Sequence, residues 1–100
     1  MSQAKVLTNQ RLKGLLTDAL VFRGNAPSDL NDCRQWGLYH IQCNEANLPP
    51  GLTQGSVMEV MQRLADRIIQ RIVTQNAIYW RFCIAGVWEK WYYVSGTKLT

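Results

Sequence analysis

The sequence predicts a mainly β chain: a compact antiparallel sheet knob with one short helix. Two observations carry that expectation. Residues 78–84 and 87–94 are dense in aromatic and β-branched side chains and flank the turn pair Ala85-Gly86, so they read as a β-hairpin closed by Ser95-Gly96. Residues 38–43 alternate, with Tyr39, Ile41 and Cys43 on one face and Leu38, His40 and Gln42 on the other, which is the period of a strand. A third stretch, 56–75, decides between this class and an α+β alternative. Val57, Met61, Leu64, Ile68 and Ile72 would line one face of a long amphipathic helix, opposite Glu59, Arg63, Asp66, Arg67, Gln70 and Arg71, and Ser56 with Glu59 reads as a capping box. Two strands fit the same residues. Val57, Glu59 and Met61 alternate with Met58, Val60 and Gln62, a turn follows at Leu64-Ala65-Asp66, and the Ile and Val content from Arg67 onward favours a strand. Periodicity alone favours the helix.

The remaining elements follow in chain order. In residues 1–26, Leu12, Leu15, Leu16, Ala19 and Leu20 form a helical stripe, and Phe22 is the only aromatic. Gly24-Asn25-Ala26-Pro27 then gives a turn or linker signal. Residues 1–26 therefore read as an N-terminal connector or trimerisation segment, with an ordinary first helix as the alternative, and 27–97 as the knob-like domain. Ser28 to Asp32 offers helix caps and Asx turns for a short helix within 28–35, ending before Gly37. Residues 44–56 hold Asn44, Asn47, Pro49, Pro50, Gly51 and Gly55, a loop dense in turn residues.

Composition bounds the rest. The chain has 100 residues, about one domain, with 47% hydrophobic and 18% charged residues. That content argues against disorder. No run of 18 apolar residues occurs, so no membrane insertion is expected, and Lys5 and Arg11 interrupt any signal-peptide core. Three cysteines, an odd number, fit synthesis in a reducing compartment. A net charge of +4 permits anionic partners without demanding them.

The ordered set Asp29-Leu30-Asn31, Gly37-Leu38-Tyr39 and Asn47-Leu48-Pro49-Pro50-Gly51 resembles the pyocin-knob domain family of bacteriophage tail fibres and R-type pyocin fibres. The likeness continues through Gly55 to Val60, Ile69-Gln70-Arg71 and Ile78-Tyr79-Trp80-Arg81-Phe82, and ends in Trp88-Glu89-Lys90-Trp91; it spans about residues 28–94. Family members are small sheet-based modules in elongated virion fibres, not enzymes, and such fibres are trimeric. The resemblance implies strands over 57–62 and 67–75, fibre subunits as partners in a homotrimer, a location in the virion after synthesis in the bacterial host cytoplasm, and a role in presenting the fibre to host polysaccharide or lipopolysaccharide. The turn at Leu64-Ala65-Asp66 departs from expectation, since it lacks Gly or Asn.

The candidate ligand contacts are Trp88, Trp91, Tyr93 and Arg81. A flat aromatic face matches the C–H face of a sugar ring, and a guanidinium suits an acidic sugar or a phosphate. Trp80 and Tyr92 belong to the same aromatic set. Their ordinary roles are core packing for the Trp residues and, for Arg81, a solvent-facing position or a stack on a neighbouring ring. In a regular strand Trp88 and Trp91 point to opposite faces unless a bulge intervenes. The expected display surfaces are the loop 44–56 and the hairpin around Ala85-Gly86. A second functional reading is a small interaction or regulatory domain that binds a protein or nucleic acid through Arg63, Arg67 and Arg71; Glu59 and Asp66 interleave with these, as on a solvated charged face. Cys33, His40 and Cys43, with Cys83 distant, lack the tight C-x-x-C pair of a zinc site, so no metal or cofactor is expected. Asp29, Asp32, Glu45, Glu59 and Glu89 are the carboxylates a glycosidase would draw on, but no P-loop, dinucleotide fingerprint or nucleophile elbow is present, and no catalytic residues are expected.

Overall fold

A computed structural model describes residues 21–64 and 66–99, with the side chains of residues 63 and 64 outside that description. Seven strands form one sheet: β1 (Phe22–Asn25), β2 (Gly37–Ile41), β3 (Ser56–Leu64), β4 (Arg67–Val73), β5 (Ala77–Ile84), β6 (Val87–Trp88) and β7 (Tyr92–Ser95). Their order is β1-β2-β3-β4-β5-β6, and β7 also pairs with β5. Among the described residues all strand pairings are antiparallel except β1 with β2. The fold is thus mainly β, and among the described residues no helix is long and apolar enough to cross a membrane.

The long helix that periodicity favours over 56–75 does not form; β3 and β4 occupy that stretch. The reason lies in the two faces of the sheet. Met58, Val60, Ile68 and Ile72 point into the core, while Val57, Met61 and Ile69 occupy the other face. Both faces accept apolar side chains, so the period of two is blurred and a helical stripe emerges by coincidence. The β-branched residues then settle the matter, because β2 and β5 each offer a free ladder edge. The expected helix over 28–35 is also shorter than read: a single 3-10 turn spans Leu30–Asp32. Asp29 caps it by accepting from the Asn31 N–H at 2.9 Å.

Two sheet features were not expected. Among the described residues the sheet begins at Phe22, so the end of the stretch read as connector forms its parallel edge strand there. Residues 1–20, where the helical stripe and any trimerisation segment fall, lie outside the described residues. The second feature is an offset in the last strand. Cys83 pairs with Trp88, and an unbroken register would then set Trp80 opposite Trp91. Trp80 pairs with Tyr92 instead, so one extra residue intervenes between β6 and β7. The Glu89 N–H still donates to the Phe82 carbonyl at 2.9 Å, which confines the bulge to Lys90 and Trp91, opposite Arg81.

The inner face is covered by the two long loops. Leu30, Cys33, Tyr39, Ile41, Met58, Val60, Ile68, Ile72 and Cys83 make the core, with Leu48, Leu52, Trp88 and Trp91 packed against it. The loops brace one another: the Leu30 N–H donates to the Ala46 carbonyl at 3.1 Å, and the Ala46 N–H to the Ser28 carbonyl at 2.7 Å. The buried Glu45 carboxylate accepts from the N–H groups of Gln42 and Asn44.

Candidate functional site

The site grows from one inward position on β4. Gln70 alternates with Ile68 and Ile72 on the core face and is fully buried. Its amide Nε2 donates to the carbonyls of Leu30 and Cys33 at 2.7 and 2.9 Å, so the sheet grips the 3-10 turn. Its Oε1 accepts from Arg81 Nε at 2.9 Å. Cross-strand pairing of Gln70 with Arg81 sets that contact.

Arg81 is only 3% exposed. Its guanidinium lies between two indoles, 4.1 Å from the Trp88 ring centroid and 4.7 Å from that of Trp91. The bulge makes this possible. Trp88 sits inward by its pairing with Cys83, and the extra residue turns Trp91 inward as well, so Trp-x-x-Trp closes on the arginine from both sides. Each indole also ties a loop: Trp88 Nε1 donates to the Asn31 carbonyl at 3.1 Å, and Trp91 Nε1 to the Asn47 carbonyl at 2.9 Å. Arg81 Nη2 is buried with no hydrogen-bond partner among the described residues. Burial lowers the Arg81 pKa to about 10, and nearby Asp29 works in the opposite direction. The group therefore stays cationic at neutral pH.

Above this sandwich lies an open cleft of about 460 Å³, walled by Arg81, Trp88 and Trp91 with Asn31, Asn47 and Lys90. Leu48, Pro50 and Glu89 complete it. Asp29 organises one wall, accepting from Asn47 Nδ2 at 2.7 Å and from the Asn31 N–H, and these bonds hold its carboxyl below the usual range. Asn47 has a left-handed φ of 65°, a conformation Asn tolerates better than most side chains.

Of the four sequence-predicted contacts, the structure brings three together: Trp88, Trp91 and Arg81. Tyr93 stands apart, stacked on Tyr79 with centroids 5.9 Å apart, and does not line the cleft. Asn31, Asn47 and Gln70 were missed. Gln70 had a signal, since a polar residue between two inward isoleucines must find partners; the asparagines had none beyond their place in turn-rich loops.

Of the other sequence candidates, Arg67 and Arg71 share the outer face of β4, away from the cleft. Arg71 is paired with Glu59 at 2.6 Å, and the Arg63 side chain lies outside the described residues. His40 is exposed, Cys33 and Cys83 are buried, and among the described residues no group of His, Cys, Asp or Glu could hold a metal ion. Comparison with protein-family models, with curated proteins and with solved structures gives no match.

Proposed function

We propose that this chain is a non-enzymatic structural and adhesion module of a phage tail fibre, or of the fibre of a related contractile particle. It helps present the fibre to a host polysaccharide or lipopolysaccharide, as a homotrimer of fibre subunits carried on the virion. The observation that carries the reading is the cleft over the Trp88–Arg81–Trp91 sandwich. It joins indole surface, two asparagines and the Lys90 ammonium in an opening whose volume suits a sugar residue or two. The sandwich makes the wall rigid, so binding costs little ordering. The mechanism is passive: the sheet holds the loops still, and multiple copies turn weak contacts into avidity. The resemblance to knob domains supports the same reading.

The test is binding of the full chain to immobilised bacterial lipopolysaccharides and capsular polysaccharides. Lys90 is exposed at the cleft rim, so Lys90→Glu is expected to keep the circular dichroism spectrum of the parent. An acidic polysaccharide is expected to bind the parent chain and to lose roughly tenfold in affinity with this variant. Binding that ignores Lys90→Glu and Trp91→Phe alike would place any glycan elsewhere, and no binding to any surface polysaccharide would leave the chain a spacer.

A further inference from the structure

The outer face of the sheet carries large apolar side chains around a few charged ones, Glu59, Arg67 and Arg71, yet nothing among the described residues covers it. Cross-strand pairing places its side chains in rows. Val57, Val73, Ile78 and Val94 form one continuous row across β3, β4, β5 and β7. Trp80 and Tyr92 stack in the next, 5.7 Å apart, and Ile84 pairs with Val87 further along. The first row is open to solvent along its whole length, with Val73 and Val94 each 54% exposed, and Val87 is 70% exposed. A sheet with one solvated face alternates apolar with polar residues; strands apolar on both sides belong to sheets covered on both sides. Monomers rarely leave an apolar patch of more than a few hundred Å² open.

We infer that this outer face is buried against a second copy of the chain. Size decides between occupants. Five strands at about 4.8 Å spacing and seven residues at about 3.4 Å give a face of about 600 Å². A helix, about 10–12 Å across with its side chains, would cover about half of it, so the leucine stripe of residues 12–20 is too narrow a lid. A second sheet, packed about 10 Å away, covers all of it. About 600 Å² from each partner reaches the lower bound of stable interfaces. Charge agrees: Arg71 and Glu59 neutralise each other within the chain, so like faces meet without repulsion there. A groove of about 410 Å³ between Arg67, Trp80, Phe82, Ile84, Glu89 and Tyr92, where the two charges are opposite in sign, gives the face relief for a partner's side chains to fill. The identity of the partner rests on the fibre-subunit reading, although a face-to-face pair is two-fold and so is a different contact from the one that makes the homotrimer; the surface does not rest on that reading.

Sedimentation of the full chain across the micromolar range tests this. The parent chain is expected to sediment as an oligomer. Val73→Lys with Val94→Lys places two ammonium groups in the contact and is expected to weaken association roughly a hundredfold or more, with an unchanged circular dichroism spectrum. Thr53→Lys, exposed in the loop between β2 and β3, is the control and should associate like the parent. If the double variant fails to fold, Val57→Lys in the same row carries the test. A parent chain that is monomeric throughout overturns both the inference and the fibre-subunit reading. An oligomer indifferent to the lysines overturns the inference alone. Dissociation by Leu12→Glu with Leu16→Glu, but not by the lysines, overturns it in favour of the N-terminal stripe.

Discussion

Gln70 and Cys33 meet at the 3-10 turn, and each ties a local property to a measurable one. Replacing Gln70 by Leu keeps the volume but leaves Arg81 Nε and the Cys33 carbonyl without their partner, while the Leu30 carbonyl keeps only the Cys33 N–H. Each unmet buried group costs about 1–3 kcal/mol, so the variant should lose about 3 kcal/mol or more in urea unfolding. A loss below about 1 kcal/mol would mean that the network does not hold the turn. Cys33 behaves differently. Burial pushes its thiol up to about 12, and burial raises the neighbouring Tyr39 as well. A raised pKa means the folded state keeps its proton where the unfolded state has lost it. The stabilisation is therefore complete below the ordinary thiol value of 9.0 and is lost as pH rises through about 12. Thermal melting should hold steady up to the start of that window and fall within it. Cys33→Ala should flatten part of the fall, and a thiol reagent near neutral pH should leave Cys33 unmodified in the folded chain.

At the scale of elements, the parallel edge is joined through few register pairs and depends on one glycine. Gly37 has φ +147°, and a Cβ there would lie 2.6 Å from Arg23 Nε and 2.9 Å from the Val21 carbonyl. Arg23 Nε donates to the Trp36 carbonyl beside it, so the arginine cannot swing away without losing that bond. Gly37→Ala should cost about 1–3 kcal/mol, and the damage should stay local. Hydrogen exchange reads it directly: the Leu38 amide, bonded to the Val21 carbonyl, should lose protection while the amides of β3 and β4 keep theirs. Uniform loss across the sheet would show that β1 is integral rather than an added edge. This strand was illegible in the sequence, since four residues containing a glycine carry no alternation and their partner is parallel and distant. The β5 hairpin was legible because its partners are local and its turn residues sit between them. The site was half legible. Its aromatics were visible, but their convergence on Arg81 depends on a one-residue bulge, and no residue type announces a bulge of that kind.

For the whole molecule, the question is what an open apolar sheet face does to stability. If copies bind each other through it, the folded state is stabilised by mass action and the unfolded chain is not. The melting temperature must then rise with concentration. A hundredfold increase in an associating partner above its dissociation constant is worth about 2.7 kcal/mol. Two copies share that gain, about 1.4 kcal/mol per chain. One kcal/mol moves the midpoint of a domain this size by about 4–8 °C, so the rise should reach about 5 °C or more. Salt separates this contact from the cleft. Each copy carries +4, and screening that charge removes long-range repulsion between copies, so added salt should raise the midpoint further. The same salt should weaken capture of an acidic polysaccharide at Lys90. In Val73→Lys with Val94→Lys the midpoint should lose its dependence on concentration while polysaccharide capture per chain persists, because the two lysines lie on the face opposite the cleft. A parent chain whose midpoint is flat with concentration, and equal to that of the double variant, would mean that the outer face meets water in the functional form.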